Sequence, residues 1–448
     1  MYDFRKFLDE AAHVKPSARQ LRMMDIGFYA FAHFGPNTFT DREWGLGNED
    51  EACFNPVDLD CDQWVEAIKS AGMKGLVLTA KHHDGFCLWP SRYTEHCVKN
   101  SPIKRDVVKE CAEACARGGI KFGVYLSPWD RNSKYYGSDE YNNYYRNQLT
   151  ELLTEYGPMF HVWFDGACGE GPNGKKQTYE FESWWELIRK YQPDATIFND
   201  HGPDIRWCGN EAGVARHSEW AVVPSELCNW AEVQTGPGPL ADEGKLDFIY
   251  NSTADLGTMS NILYSKGLVF APAEIDMSIR PGWFWHEREE PHSLERLFNT
   301  YLTSVGANAT FILNVPPTNR GLIDDRDVKR LKELGDLIRK ELSVDLTGGA
   351  VPARLPYDSR TQARYEAVLP APADIKYIEL AENIAEGQRV ESFILTVTDA
   401  EGNVRGGYQG TAIGHRKIVK FEAKNVKKIN LFVTAARGEV DMKEIKAY

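Results

Sequence analysis

The sequence predicts an α/β chain: a (β/α)8-like barrel over residues 1–345, followed by a C-terminal antiparallel β-sandwich over residues 350–448. Three observations predict it. Short apolar runs alternate with helix-period stretches at intervals of about 40 residues, without any sequence repeat. His, Asp and Trp gather where the apolar runs stop. Beyond about residue 350 the apolar positions switch to a period of two.

The elements follow in order. Residues 26–34 (IGFYAFAHF) read as a first strand with Tyr29, Phe31 and His33 on one face. Asp62 to Ala71 reads as a helix, because Trp64, Val65, Ile68 and Ala71 keep a three-to-four spacing. A strand at Gly75–Thr79 runs into Lys81-His82-His83-Asp84, and a helix over Lys104–Arg117 stops at Gly118-Gly119. The strand Ile120–Leu126 leads to Ser127-Pro128-Trp129-Asp130, then to a helix near Asp139–Tyr156. His161 to Ala167 reads as a buried strand ending at the Asp165 carboxylate, although a turn-closing or helix-capping Asp fits those seven residues equally. A helix near Phe181–Tyr191 and a strand Thr196–Asn199 follow; residues 205–265, with Pro237 and Pro239, give no clear order. Phe270–Ile275 and Thr310–Val315 read as late strands, and Leu322–Leu342 as a closing helix.

Parallel strands with right-handed crossovers, and polar residues at the strand ends, fit a TIM barrel, whose sites lie on the C-terminal rim. A doubly wound sheet would want a Gly-rich phosphate loop after the first strand, and none is there. In the last hundred residues, Phe393, Leu395 and Val397 alternate with polar residues, as do Val419, Phe421 and Ala423, and Ile429, Leu431 and Val433. Residues 399–403 offer a hairpin turn. No aromatic platform is obvious there, which favours a packing role over carbohydrate binding.

The net charge of −13 argues against a nucleic-acid partner or an anionic membrane surface, and is indifferent to a neutral sugar. No apolar run reaches the roughly eighteen residues of a membrane span. The N-terminal stretch is too charged for a secretory signal, so the expectation is a cytoplasmic protein, or a periplasmic or secreted one if a leader was removed. The nine cysteines include no CxxC pair and read as reduced thiols, with neither disulfides nor zinc expected. Oligomeric state is not readable.

Retaining hydrolysis of a glycosidic bond needs two carboxyl groups about 5–5.5 Å apart, one attacking and one protonating the leaving oxygen. Asp165 and Glu211 have the residue types for it. Nearby histidines would serve as neutral donors to hydroxyls, and a Trp as a flat face for the ring. A metal site at His33, His82, His83 and Asp84 is the competing view. Adjacent strand histidines point opposite ways unless the chain bends, and neither HxH nor HExxH occurs, so neither metal nor cofactor is expected.

The segments AHFG (32–35), EWG (43–45), KHHDGF (81–86), GVYLSPWD (123–130), VWFDGACGEGPNGKKQ (162–177) and RWCGNEAG (206–213) resemble the α-L-fucosidases of glycoside hydrolase family 29. They resemble in particular the subgroup selective for α-1,3/1,4 linkages. The resemblance spans the barrel and implies a retaining exo-α-L-fucosidase acting on fucosylated, Lewis-type glycans. By motif it implies Asp165 as nucleophile and Glu211 as acid/base. His33, Glu43, Trp44, His82, His83 and Tyr125 would hold the fucose, with Arg206 and Trp283 carried over from more variable loops. Trp283 and Phe31 are candidates for an apolar wall against the fucose methyl, or for core. Two positions depart from the subgroup pattern: Cys168 stands where Asn is usual, and Cys208 where Val is usual. The rival classes are a glycosidase or transfucosidase of other specificity, a non-catalytic carbohydrate-binding homologue and a metal-dependent hydrolase.

Overall fold

The computed structural model describes residues 4–200, 202–228, 255–263 and 265–448. Helices α1 (Phe4–Ala12) and α2 (Ala18–Ile26) precede strand β1 (Phe28–Ala32). Then come α3 (Pro36–Thr40), α4 (Cys61–Ser70), β2 (Gly75–Lys81), α5 (Val107–Gly118), β3 (Lys121–Leu126), α6 (Asp139–Glu155), β4 (His161–Trp163), α7 (Phe181–Tyr191), β5 (Thr196–Asn199) and β6 (Ile205–Trp207). After them lie β7 (Val222–Pro224), α8 (Met259–Ile262), β8 (Leu268–Phe270), β9 (Ala273–Ser278), α9 (Leu294–Ser304), β10 (Thr310–Asn314) and α10 (Asp325–Leu342). Eight parallel strands close a barrel in the order β1-β10-β9-β6-β5-β4-β3-β2.

The local chemistry explains the elements. β1, β2 and β10 are buried along their whole length, which is why they read as continuous apolar runs rather than alternating ones. The Asp60 carboxylate caps α4 by accepting the N–H groups of Asp62 and Gln63, and the helix buries Trp64, Val65 and Ile68. α5 ends at Gly119, whose φ of 72° is the left-handed stop that the Gly-Gly pair suggested. Inside the barrel Tyr29, Phe31, Val77, Tyr125, Trp163, Phe198, Ile205 and Ile312 pack together.

In the barrel one strand appears where none was expected, and one expected strand is corrected. β6 lies in the stretch that gave no order: it is three residues long and follows β5 through a tight turn with no helix, so no period marks it. The run Phe270–Ile275 is two strands. Pro272 offers no N–H to a ladder, so β8 pairs antiparallel with β7 outside the barrel while β9 starts at Ala273 and stays buried through Ser278. Pro237 and Pro239 lie outside the described residues.

Strands β11 (Ala353–Leu355), β12 (Ala363–Glu382), β13 (Val390–Asp399), β14 (Val404–Gly410), β15 (Lys417–Ala436) and β16 (Met442–Ala447) form the C-terminal antiparallel unit. Long β12 and β15 bend at register shifts and fold the sheet over a core of Phe393, Leu395, Val397, Val419, Ile429 and Leu431. The two runs expected around Val419 and Ile429 are one strand. Asn425, at φ 53°, lies between them, next to the register shifts against β12. The Asp399 carboxylate accepts the N–H groups of Glu401 and Asn403 and so closes the β13–β14 turn. This unit packs on the end of the barrel where strands begin: the Ile418 N–H donates to Gly306 O and the His415 N–H to the Asn308 side chain. Among the described residues, this unit leaves the opposite rim open.

Candidate active site

The open rim gathers side chains from five of the eight barrel strands or the segments that follow them. A pocket of about 150 Å³ is lined by Phe31, His33, Glu43, Trp44, His82, His83, Trp163, Asp165, Ala167, Glu211, Asp276 and Trp283. That is well below the roughly 300–1,000 Å³ of sites for drug-sized ligands, and suits one small ring rather than a chain. His33 follows β1, His82 and His83 follow β2, Asp165 follows β4, and Glu211 follows β6. The pocket is therefore a strand-end site of the kind barrels build.

Asp165 is held from both sides. Its Oδ1 accepts the N–H of Ala167 at 2.7 Å, and its Oδ2 accepts the Tyr125 hydroxyl at 3.1 Å, with His83 Nε2 3.8 Å away. Glu211 sits at the mouth, where the Trp283 indole N–H donates to its Oε2 at 3.1 Å. Burial of the carboxyl raises its pKa above the ordinary value; the Trp283 hydrogen bond opposes this, and the charges of Asp165 and Glu43 add to it. One rim thus carries a carboxylate fixed by donors and, beside it, a carboxyl biased toward its protonated form.

The three histidines are neutral, because burial pushes each of them down: His33 to about 4, His82 well below its ordinary value, and His83 in the same direction. Their partners assign the tautomers. Asn314 Oδ1 accepts the backbone N–H of His33 at 3.1 Å, so it also accepts from His33 Nδ1 at 2.9 Å, leaving Nε2 as a lone pair. The Ser127 hydroxyl donates to Trp129 O at 2.7 Å, so it accepts from His83 Nδ1 at 2.7 Å, and His83 Nε2 is likewise an acceptor. His82 is the reverse: the Asn37 amide donates toward its Nδ1 at 3.4 Å, which places the proton on Nε2. Two of the three rings therefore accept, which corrects the expectation of donors throughout. A polyol, each of whose hydroxyls both donates and accepts, matches this alternation.

The bend that lets His82 and His83 share the pocket comes directly after β2, at a turn with Gly85 at φ 83°. No group of three metal-binding side chains occurs among the described residues. Trp44 is 57% exposed and stands edge-on to Trp129 at 5.5 Å, forming the rim rather than the floor. Glu43 lines the pocket but is largely taken: Oε2 accepts the Trp283 N–H at 2.8 Å, and Oε1 accepts the Phe284 N–H at 3.3 Å and faces His286 Nε2 at 2.6 Å. Phe31 and Trp283 both face the pocket, though Phe31 is 1% exposed and is core as well.

Arg206 is not brought to the pocket. Its guanidinium is buried behind β6, donating to Glu219 Oε2 at 2.8 Å, to Trp220 O at 3.0 Å and to Ala271 O at 3.0 Å. Burial alone would push Glu219 up, but Arg206 and Arg216 outweigh it and hold its pKa below the ordinary value. Replacing Arg206 with Met takes away its charged hydrogen bond but leaves that carboxylate paired with Arg216, so a loss of about 1–3 kcal/mol of stability is expected, with KM nearly unchanged in the protein that still folds. Denaturant unfolding beside steady-state kinetics checks this; normal stability with a raised KM would return Arg206 to the sugar. Cys168 is also off the pocket: its thiol contacts Gln177 O at 3.3 Å within the loop after β4. Cys208 is buried beside Asn210 O.

Several residues were missed by sequence reasoning. Asp276 on β9 lines the pocket, accepts the Trp207 indole N–H at 2.9 Å, and is pushed well above the carboxylate range by burial and by Glu211. Asp200 lies against Gly166, where an added Cβ would come 1.9 Å from its Oδ2; burial, then Asp165, raises it to about 7. Below the pocket Glu274 accepts the Trp163 indole N–H at 2.7 Å, and burial holds it protonated. His161 Nδ1 donates to Thr196, so its Nε2, 3.3 Å from Glu274 Oε2, carries a lone pair. The sequence signal was present: Glu274 and Asp276 are two acids two positions apart in an apolar run, hence on one strand face.

Comparison with known proteins agrees in kind. The family model described as Alpha-L-fucosidase matches residues 28–218 and 177–341. Alpha-L-fucosidase 1 of Arabidopsis thaliana is 38% identical over 95% of this chain and 85% of its own length. The crystal structure of a glycoside hydrolase 29 family member from an unknown rumen bacterium superposes with a TM-score of 0.83 at 36% identity, covering 97% of this chain and 77% of that one. The Ruminococcus gnavus GH29 fucosidase in complex with fucose gives a TM-score of 0.80 at 28% identity, over 97% of this chain and 95% of that one.

Proposed function

Since the chain belongs to the α-L-fucosidases of glycoside hydrolase family 29, we propose that it is a retaining, exo-acting enzyme releasing terminal α-1,3/1,4-linked fucose from branched, Lewis-type glycans. Asp165 is the nucleophile and Glu211 the acid/base. The observation that carries this reading is the sharing of one single-ring pocket by a donor-fixed Asp165 and a Glu211 whose pKa is raised.

The chemistry runs in two steps. Asp165 forms a bond to the anomeric carbon as the bond to the leaving oxygen breaks, and Glu211 gives that oxygen its proton. Glu211, now a carboxylate, takes a proton from water as the water oxygen displaces Asp165. Two inversions restore the starting configuration. His33 and His83 accept from sugar hydroxyls, His82 donates, and Phe31 with Trp283 supplies an apolar wall for the methyl group. The position of Glu211 at the mouth supports its role, because the leaving sugar points outward. The linkage preference rests on the motif resemblance around Glu211.

Hydrolysis of a Lewis-type trisaccharide beside 2′-fucosyllactose, with and without the branching galactose, tests the reading. The branched trisaccharide is expected to turn over much faster, and NMR of fresh product to show the α anomer first. Equal rates on the two glycans would remove the linkage preference; a β anomer would remove the two-step mechanism.

A further inference from the structure

We infer that His286 is a positioning residue whose proton clamps the Trp283 segment over the sugar pocket, so that sugar binding weakens when that proton leaves. The inference rests on the reading of the pocket as the fucose site. His286 Nδ1 lies 2.5 Å from Asp41 Oδ1, and its Nε2 lies 2.6 Å from Glu43 Oε1. Ionised carboxylates only accept, so both ring nitrogens must carry hydrogen, and the bridge requires the imidazolium.

The bridge matters because of what Glu43 holds. Its Oε2 accepts the N–H of Trp283, and its Oε1 the N–H of Phe284. The Trp283 carbonyl is tied from the other side by the Asn314 amide at 2.6 Å, and its ring stacks tilted on His33 at 5.1 Å between centroids. The backbone crosses the bridge so closely that a Cβ on Gly282 would come 2.5 Å from Glu43 Oε1 and 3.0 Å from the His286 ring. One segment thus carries a pocket wall, the donor to Glu211 and the proton that fixes both.

The groups around the ring are Asp41 at the end of α3, Glu43 on the following turn, and Glu289 and Arg288 on its own segment. The Glu289 carboxylate also accepts the Gly282 N–H at 3.0 Å, and Arg280 on the segment after β9 reaches the His286 carbonyl at 3.5 Å. Burial alone would lower the His286 pKa, but Asp41, Glu43 and Glu289 together raise it above 6.5. A raised pKa means that the clamp is complete below about pH 6.5 and is lost as pH climbs through the folded value.

The test is the Ki of L-fucose as a competitive inhibitor of aryl α-L-fucoside hydrolysis, followed from about pH 5.5 to about pH 8.5. The wild-type Ki is expected to rise about tenfold across that window, the weight of a lost charge-assisted hydrogen bond. His286→Gln should bind weakly throughout, with a flat profile. Asp41→Asn, at an exposed position that leaves the fold alone, should move the rise to lower pH by removing one supporting anion. A flat wild-type Ki, a His286→Gln profile like the wild type, or an unmoved Asp41→Asn profile would each overturn the inference. An active Asp165→Ala would instead overturn the pocket reading itself, so the two failures are distinct.

Discussion

Replacing Asp165 with alanine is expected to slow turnover on the order of 10³-fold or more while L-fucose still binds. The side chain stands at the end of β4 with its oxygens held by the Ala167 N–H and the Tyr125 hydroxyl, so its removal takes away the attacking group without opening the core. Asp165→Asn keeps the shape and an oxygen for Ala167 and should be equally slow, which separates chemistry from folding. The variant also offers a check on mechanism: a small anion such as azide can occupy the emptied side and attack the anomeric carbon, giving a fucosyl azide of inverted configuration. Near-normal turnover by either variant would end the assignment. One further consequence is electrostatic. Asp165 contributes to the raised pKa of Glu211, so its removal should lower the pKa of the Glu211 carboxyl.

Much of this arrangement was legible in the sequence, because barrel strands advertise themselves as short apolar runs and the chemistry sits where the runs stop. His33, His82, His83 and Asp165 each follow such a run, and each lines the pocket. The illegible parts have physical reasons. β6 is too short to carry a period and has no helix before it. Arg206, three residues before Gly-Asn-Glu, looked like part of the site, but strand direction turns its guanidinium toward Glu219. Asn314 and His286 act through partners distant in the chain, and no spacing encodes a tautomer or a bridge. Asp276 was hidden by assuming that acids mark strand ends, whereas a barrel interior tolerates a buried carboxyl when it is protonated and hydrogen-bonded.

Replacing Glu211 with alanine should divide substrates by their leaving groups. A natural glycan leaves as an alkoxide unless a proton arrives in the transition state, so its turnover is expected to fall by about 10²–10⁴-fold, the range typical of lost general-acid assistance. A nitrophenyl fucoside leaves as a stabilised phenolate and should lose far less in its first step. Its deficit then moves to the second step, where water lacks its base, and a burst of nitrophenol should precede the slow phase. The pH profile gives an independent check. Glu211 must be protonated to act, so the wild-type kcat on glycans should fall as pH rises through its raised pKa, and Glu211→Gln should lose that limb. This loss is separable from the His286 clamp, because one acts on kcat and the other on the fucose Ki. Equal losses on glycan and aryl substrates would mean that the proton comes from elsewhere. Asp276, protonated and on the same pocket, would then be the group to replace.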